Sequence, residues 1–255
     1  MDSLAALMAG GQVEPDGEYI LTITIGNSLE MKITVAPDDG QAPGTLFAYH
    51  VWNGATCLAE YFAANPTLVQ GKSVVEFGAA SALPSLVALH HGAKVAVMTD
   101  YPADVLLQNI RANVERNQAL LNNGLPVVVG HLWGSDVTDV VVHSQHHTGD
   151  PSNPSPRFDV AIVAECLWMH REHHNLAKSI DECLAPNGTA FICFSHHVPG
   201  VEHCDLAFFD VVKARFPCSV VLAKTFNVQA VFNAAKTKQE FLYVITRLDT
   251  PADRT

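Results

Sequence analysis

The sequence predicts an α/β fold: a seven-stranded, mostly parallel sheet with helices on both faces, preceded by an N-terminal β-hairpin. Three observations carry this expectation. Short β-branched runs alternate with helix-length segments from Ser73 onward. The run Phe158-Asp159-Val160-Ala161-Ile162-Val163-Ala164 is apolar almost throughout, as a strand covered on both faces must be. Ser73-Val74-Val75-Glu76-Phe77 breaks abruptly into Gly78-Ala79-Ala80-Ser81, the pattern of a buried strand entering a tight turn.

In chain order, Glu18 to Ile25 and Leu29 to Val35 alternate around Gly26-Asn27-Ser28 and predict the hairpin, placed as a lid or as a sheet edge. Thr56 to Ala64 has helical periodicity, and Trp52 just before it is either a core residue or a wall of a ligand pocket. Pro84 suits the first turn of a helix after the Gly78 turn, because its missing N–H is not needed there. Lys94 to Met98 is the next strand, ending in Thr99-Asp100, and Asp104 to Gln118 the next helix. Val127-Val128-Val129 leads into His131-Leu132-Trp133-Gly134. The polar stretch 143–157, rich in Pro, Ser and His, is expected to be a flexible insertion. After the Phe158 strand come a helix from Glu172 to Leu184, a turn at Ala185-Pro186-Asn187-Gly188, and a strand from Thr189 to Ser195. Asp205 to Ala214 is the last helix, and Ser219 to Phe226 and Phe241 to Arg247 are the closing strands.

A chain of 255 residues can bury one sizeable core, so a single domain over 1–255 is expected, with 1–45 as an extension that carries the hairpin. Hydrophobic residues make up 48% and charged residues 16%, which is the balance of a soluble protein. No apolar run approaches the roughly 20 residues of a membrane span, and the start carries no basic leader, so an intracellular, cytoplasmic protein is expected. Cys57, Cys166, Cys183, Cys193, Cys204 and Cys218 form no Cys-x-x-Cys pair and predict reduced thiols. A net charge of −11 disfavours nucleic acid, which needs clustered Lys and Arg, and suits a basic partner such as a Lys-rich protein segment.

The turn after Ser73 to Phe77 sets the ligand class. Ligands of doubly wound sheets sit at such turns, and Gly78, Ala79 and Ala80 let the backbone come close. Asp100 stands about 20 positions further on, where an acid binds ribose hydroxyls. The second glycine that makes room for a pyrophosphate is missing, and Glu76 would repel a phosphate while suiting a cationic amino-acid group. An adenosine ligand without phosphates, S-adenosylmethionine, meets these conditions.

The segments Val51-Trp52-Asn53-Gly54, Val75 to Ser85, Val97 to Pro102, Leu132-Trp133-Gly134, Val163 to His170 and His173 to Leu176 together resemble the seven-strand, S-adenosylmethionine-dependent methyltransferases. Within that Rossmann-like class, they resemble the branch of the nicotinamide N-methyltransferase-like proteins and the elongation factor 1-alpha N-terminal and lysine methyltransferase. The resemblance implies that Trp52 lines the pocket, that Gly78 to Ala80 pass under the methionine part and that Asp100, followed by Tyr101, binds the ribose. It further implies that Trp133 covers the adenine and Ala164 closes the floor. The chain departs from the family at Ala80, where glycine is usual, and at Glu165, where Asp is more frequent. An amine acceptor follows, either a protein lysine or N-terminus, as in an elongation factor, or a small nicotinamide-like metabolite; a cofactor-binding scaffold without catalysis is the competing class.

Methyl transfer to nitrogen needs an aligned, unprotonated amine. Glu165 is the candidate to orient it, with a carboxylate at a helix start as the alternative, and His196 is the candidate pocket-wall base, with a loop histidine as the alternative. Asn-Pro-Pro-Tyr, the amide-methylating signature, is absent. His170, His173, His174, His196 and His197 lack the acidic partners of a metal site, so no metal is predicted.

Overall fold

The computed structural model describes residues 12–13, 19–36, 45–144, 157–230 and 233–248. Ten strands and seven α-helices follow one another among these residues: β1 Gln12–Val13, β2 Tyr19–Ile25, β3 Leu29–Ile33, α1 Thr45–Ala48, α2 Asn53–Ala64, β4 Ser73–Phe77, α3 Leu83–His90, β5 Val95–Asp100 and α4 Asp104–Asn117. The second half runs β6 Leu125–Gly130, α5 Thr138–Val141, β7 Phe158–Ala164, α6 His173–Cys183, β8 Leu184–Phe194, α7 Glu202–Arg215, β9 Cys218–Ala230 and β10 Asn233–Arg247. Seven strands form one sheet in the order β6-β5-β4-β7-β8-β10-β9. The pairs from β6 to β8 are parallel, and β10 runs antiparallel between β8 and β9. This is the mixed seven-stranded sheet that the sequence predicts.

Residue alternation explains why the central strands are apolar on both phases. Val74, Val160, Ile162, Phe191 and Cys193 pack into a core with Leu58 and Phe62 of α2 and Leu86 of α3. Their chain neighbours Val75, Phe77, Ala161, Val163, Ile192 and Phe194 pack into a second core with Leu176 and Ile180 of α6 and Phe208 and Val212 of α7. A strand between two helical layers has no solvent phase, so its sequence carries no polar alternation. Seven of the eight residues of α3 are buried, and Pro84 stands in its first turn.

The β2–β3 hairpin forms around the Gly26 turn, with Gly26 at φ 60. It does not lie over the carboxyl ends of the sheet; its inner side chains Ile25, Met31 and Ile33 join the first core. The outer edge of β3 is closed by side chains of α4. Asn117 accepts from the Lys32 N–H and donates to the Lys32 carbonyl, and Asn113 treats Thr34 in the same way, at 2.7 to 2.9 Å. Residues four apart on a helix and two apart on a strand face each other in step, so two amides replace a missing strand. Asn113 also donates to the Ser81 carbonyl and Asn109 to the Ala80 carbonyl, which ties the hairpin to the turn after β4.

Two details differ from expectation. Ala185 to Gly188, predicted as a turn, lies inside β8, where Asn187 takes φ 60 and the register with β7 shifts between Phe158 and Val160. β10 begins eight residues before the predicted Phe241: its pairing with β8 starts at Phe241, and the preceding part pairs with β9 alone. Of the expected insertion, 145–156 lies outside the described residues, and Val142–Ser144 is a single 3₁₀ turn. All six cysteines are unbridged.

Candidate active site

Phe77, Asp100 and Ala164 are the last residues of β4, β5 and β7. The strand order reverses between β4 and β7, and at such a point the connections leave on opposite faces and open a crevice. A cavity of about 360 Å³ lies there. Trp52, Glu76, Gly78, Ala79, Ala80, Asp100, Tyr101, Trp133, Ala164 and Glu165 all line it, together with Phe47, His50 and Trp168. The structure thus gathers every predicted cofactor residue around one space. The hairpin contributes none of its lining among the described residues.

The turn is held in an uncommon conformation. Gly78 has φ 67, and a Cβ there would lie 2.9 Å from the Cys166 sulfur and 3.3 Å from the Trp133 ring. Ala80 and Ala82 also take positive φ, 47 and 59, a region that costs an L-residue about 1–2 kcal/mol. The strain at Ala80 is held by two groups: its N–H donates to Asp100 Oδ2 at 2.8 Å, and its carbonyl accepts from Asn109. Ala80→Gly is therefore expected to stabilise the fold by about 1 kcal/mol, raising Tm by about 2–4 °C in a thermal melt. A Tm at or below that of the unchanged protein would show that the strain is not stored there.

Asp100 accepts a second hydrogen bond, at 2.7 Å, from the Tyr101 N–H. Burial pushes its carboxyl up from the ordinary value, against the pull of these two N–H groups. Glu76 is 1% exposed and accepts the Ser85 N–H at 3.2 Å; burial pushes its carboxyl up to about 8. Burial likewise drives the Cys166 thiol well up, so it stays protonated and chemically quiet.

A smaller cavity of about 220 Å³ shares Phe47, Trp52, Glu165 and Trp168 with the first and continues to His170, His197, Val198, Val201 and Asp205. The Phe47 and Trp168 rings meet with planes tilted by 43° and centroids 4.2 Å apart, and Trp52 meets the His197 ring edge-on at 5.6 Å. Glu165 stands at the junction of the two spaces. It has φ 56 and 7% exposure. Its carboxylate accepts from the Gly54 and Ser195 N–H groups at 3.3 Å and from His197 Nε2 at 2.9 Å, with Lys238 Nζ 3.8 Å away. Burial pushes the Glu165 carboxyl up, but His197 and then Lys238 outweigh it and hold it below the usual range. Gly54 must be a glycine, since a Cβ there would meet the Glu165 side chain at 2.8 Å.

His196 sits elsewhere. It lines neither cavity; its Nδ1 is 2.7 Å from Asp205 Oδ2 and its ring packs on Phe194 and Phe241. Past the end of β8, alternate residues face opposite ways, so Ser195 and His197 turn to Glu165 while His196 turns to α7. The histidine on the wall of the smaller cavity is therefore His197 and not the expected His196, and Lys238 and Glu240, which the sequence did not single out, also stand near Glu165. No three possible metal ligands meet among the described residues, and His173 is buried against the Leu167 carbonyl.

Comparison with known proteins gives the same fold and a family. A Streptococcus mutans protein described as a S-adenosylmethionine-dependent methyltransferase superposes with a TM-score of 0.56 at 16% identity, covering 92% of this chain and 56% of that one, a likeness of fold alone. The protein N-terminal and lysine N-methyltransferase efm7 of Schizosaccharomyces pombe is 33% identical over 67% of this chain and 65% of its own. The relative of the same name in Neurospora crassa is 37% identical over 69% and 62%. The chain thus spans slightly less than two thirds of the length of these curated relatives. The family model described as lysine methyltransferase matches residues 40–215, which include the whole β4 turn, Asp100 and Glu165. With that match over well more than half of its length, the chain belongs to the lysine methyltransferase family.

Proposed function

We propose that this protein is a S-adenosylmethionine-dependent N-methyltransferase that modifies a protein amine, a lysine side chain or an N-terminus, with elongation factor 1-alpha as the first acceptor to test. The observation that carries the reading is the meeting of two cavities at Glu165: one under the strand tips with the Gly78 turn and Asp100, the other walled by Trp52, Trp168 and Phe47. The donor fits the first. Gly78 leaves room that a Cβ would fill, Asp100 offers a carboxylate to ribose hydroxyls, and buried Glu76 offers one to the ammonium of the methionine part. When bound, the donor supplies an electrophilic methyl on a sulfonium. The second cavity suits an ammonium on an aliphatic stem, because aromatic faces attract cations and an anion stands at its inner end. The relatives named as protein N-terminal and lysine methyltransferases point to the same acceptors. A metabolite pocket closed by the hairpin has no support, since the hairpin lines neither cavity among the described residues.

The test is calorimetric titration with S-adenosylmethionine and S-adenosylhomocysteine, followed by transfer of a radiolabelled methyl group to purified elongation factor 1-alpha, to a cell lysate and to a metabolite panel. A labelled protein band supports the proposal. Binding without transfer favours a scaffold, and label only in the metabolite panel favours a small acceptor.

Glu76 adds a pH signature. Burial pushes its carboxyl up to about 8, against an ordinary 4.5, so the protonated form prevails at neutral pH. Docking of an ammonium against it is expected to expel that proton. Binding enthalpies at pH 7 measured in phosphate and in Tris should then differ by the ionisation heat of nearly one proton. The difference should vanish in Glu76→Gln; equal enthalpies at pH 7 would remove Glu76 from the donor site. Because the folded value is the raised one, the stability that Glu76 contributes is complete below 4.5 and lost as pH climbs through about 8.

A further inference from the structure

We propose that His197 is a catalytic residue that accepts the proton the substrate ammonium must shed, while Glu165 serves it as a fixed anion and does not take the proton itself. The inference rests on the amine-acceptor reading above. An alkylammonium, with a pKa of about 10.4 in water, arrives protonated at neutral pH and has no lone pair with which to attack a methyl group. Something in the acceptor cavity has to remove one proton.

Glu165 is poorly suited to that step. Four donors already surround its carboxylate: the Gly54 and Ser195 N–H groups, His197 Nε2 and the Ser195 hydroxyl, the last at 3.5 Å. Held below the usual range, it is a weak base. What such an anion does well is fix an imidazole. A carboxylate can only accept, so the hydrogen bond of 2.9 Å to Glu165 Oε2 places the ring proton of His197 on Nε2. The basic lone pair is then on Nδ1, which has no hydrogen-bond partner among the described residues. The ring is braced edge-on by Trp52 and forms part of the wall of the smaller cavity. Carboxylate, oriented imidazole and substrate proton stand in the order used wherever an acid holds a histidine base in one tautomer. His196 cannot share the role, since Asp205 holds its Nδ1 and it lines neither cavity.

The charges around the ring are Glu165 at the end of β7, Lys238 and Glu240 of β10 behind it, and Asp205 of α7, whose two oxygens meet His170 and His196. Glu202 opens α7 near His196, and His50 lies beside Trp52. The step balances simply. The ammonium gives a proton to Nδ1, leaving a neutral amine and an imidazolium over the Glu165 anion. The amine lone pair then forms the N–C bond to the methyl group as the C–S bond breaks and its electrons stay on sulfur. The imidazolium afterwards returns its proton to water.

Two measurements test this, one without catalysis. In the donor-free protein, diethyl pyrocarbonate acylates imidazole nitrogens that carry a free lone pair, and mass mapping is expected to find His197 labelled along with the exposed His174 and His203. Labelling of those two with His197 untouched would overturn the proposal. In the second, His197→Gln and His197→Ala are assayed with S-adenosylmethionine and purified elongation factor 1-alpha. Donor affinity by calorimetry is expected to be unchanged, because His197 does not line the donor cavity. Transfer at pH 7 is expected to fall by about 100-fold and then to climb by about tenfold per pH unit as solution supplies free amine; added imidazole should restore part of the rate of His197→Ala. Variants with the rate and pH profile of the unchanged protein would overturn the role of His197 and leave the proposed function standing. Absence of donor binding and of transfer in the unchanged protein would overturn both.

Discussion

Asp100→Ala is expected to weaken S-adenosylmethionine binding by about 100-fold, or about 3 kcal/mol, in a calorimetric titration. The loss has two sources, and only one is a contact to the ligand. A carboxylate that accepts ribose hydroxyls is worth about 1.5–3 kcal/mol where hydrogen bonds involve a charge. The same carboxylate also receives the N–H groups of Ala80 and Tyr101, and the first of these holds Ala80 at φ 47. Without it, the Gly78 to Ala80 turn is free to relax to negative φ, so a ligand that needs it in place would have to order it again. Asp100→Asn separates the two sources. Its amide oxygen can still receive one of the two N–H groups, while its NH₂ offers donors where acceptors are needed. Its loss should be smaller than that of alanine for the turn and similar for the ribose. Ala80→Gly combined with Asp100→Ala should recover part of the affinity if strain contributes. Equal affinity of Asp100→Ala and the unchanged protein would remove Asp100 from the site.

The grouping of residues around the larger cavity was legible in the sequence because its parts are local. The β-branched run before Gly78, the small residues behind it and the acid at the next strand end lie within 28 residues, Ser73 to Asp100, and each is dictated by a backbone requirement. The surroundings of Glu165 and the smaller cavity depend on parity and distance. Whether His196 or His197 faces Glu165 is decided by where β8 stops alternating, and its start was obscured because Ala185-Pro186-Asn187-Gly188 looks like a turn yet continues the strand. Lys238 and Glu240 reach Glu165 from 73 and 75 positions away, on the part of β10 that outruns β8. Nothing in their own segment, Lys236 to Glu240, distinguishes them from an ordinary charged hairpin. The same holds for Asn109, Asn113 and Asn117, whose spacing marks one helix face but not the strand edge and turn that they satisfy.

Lys238→Met is expected to destabilise the fold by about 3–5 kcal/mol, the cost of leaving buried carboxylates without their cation. Lys238 Nζ lies 2.8 Å from Glu240 Oε1, 2.8 Å from the Ser195 hydroxyl and 3.8 Å from Glu165 Oε1. Glu240 is 0% exposed. Two carboxylates share a single ammonium, so one negative charge is in excess. The structure relieves it by holding a proton: burial, with Glu165 nearby, pushes the Glu240 carboxyl up to about 9. A folded value raised above the ordinary 4.5 means that the native state keeps a proton the unfolded chain has lost between those two points, and stability drains away as pH climbs through about 9. Removing Lys238 leaves both acids unbalanced and raises that dependence further. Thermal melts should therefore show the gap between Lys238→Met and the unchanged protein widest at pH 8 and narrower at pH 5, where protonation of the native carboxyls is cheap. Adding Glu240→Gln to Lys238→Met removes the second acid and should return most of the lost stability, the pattern of a coupled pair. A Lys238→Met melt that matches the unchanged protein at pH 8 would mean that water, not Lys238, already balances the two acids, and Glu165 would then need another reason to stay anionic.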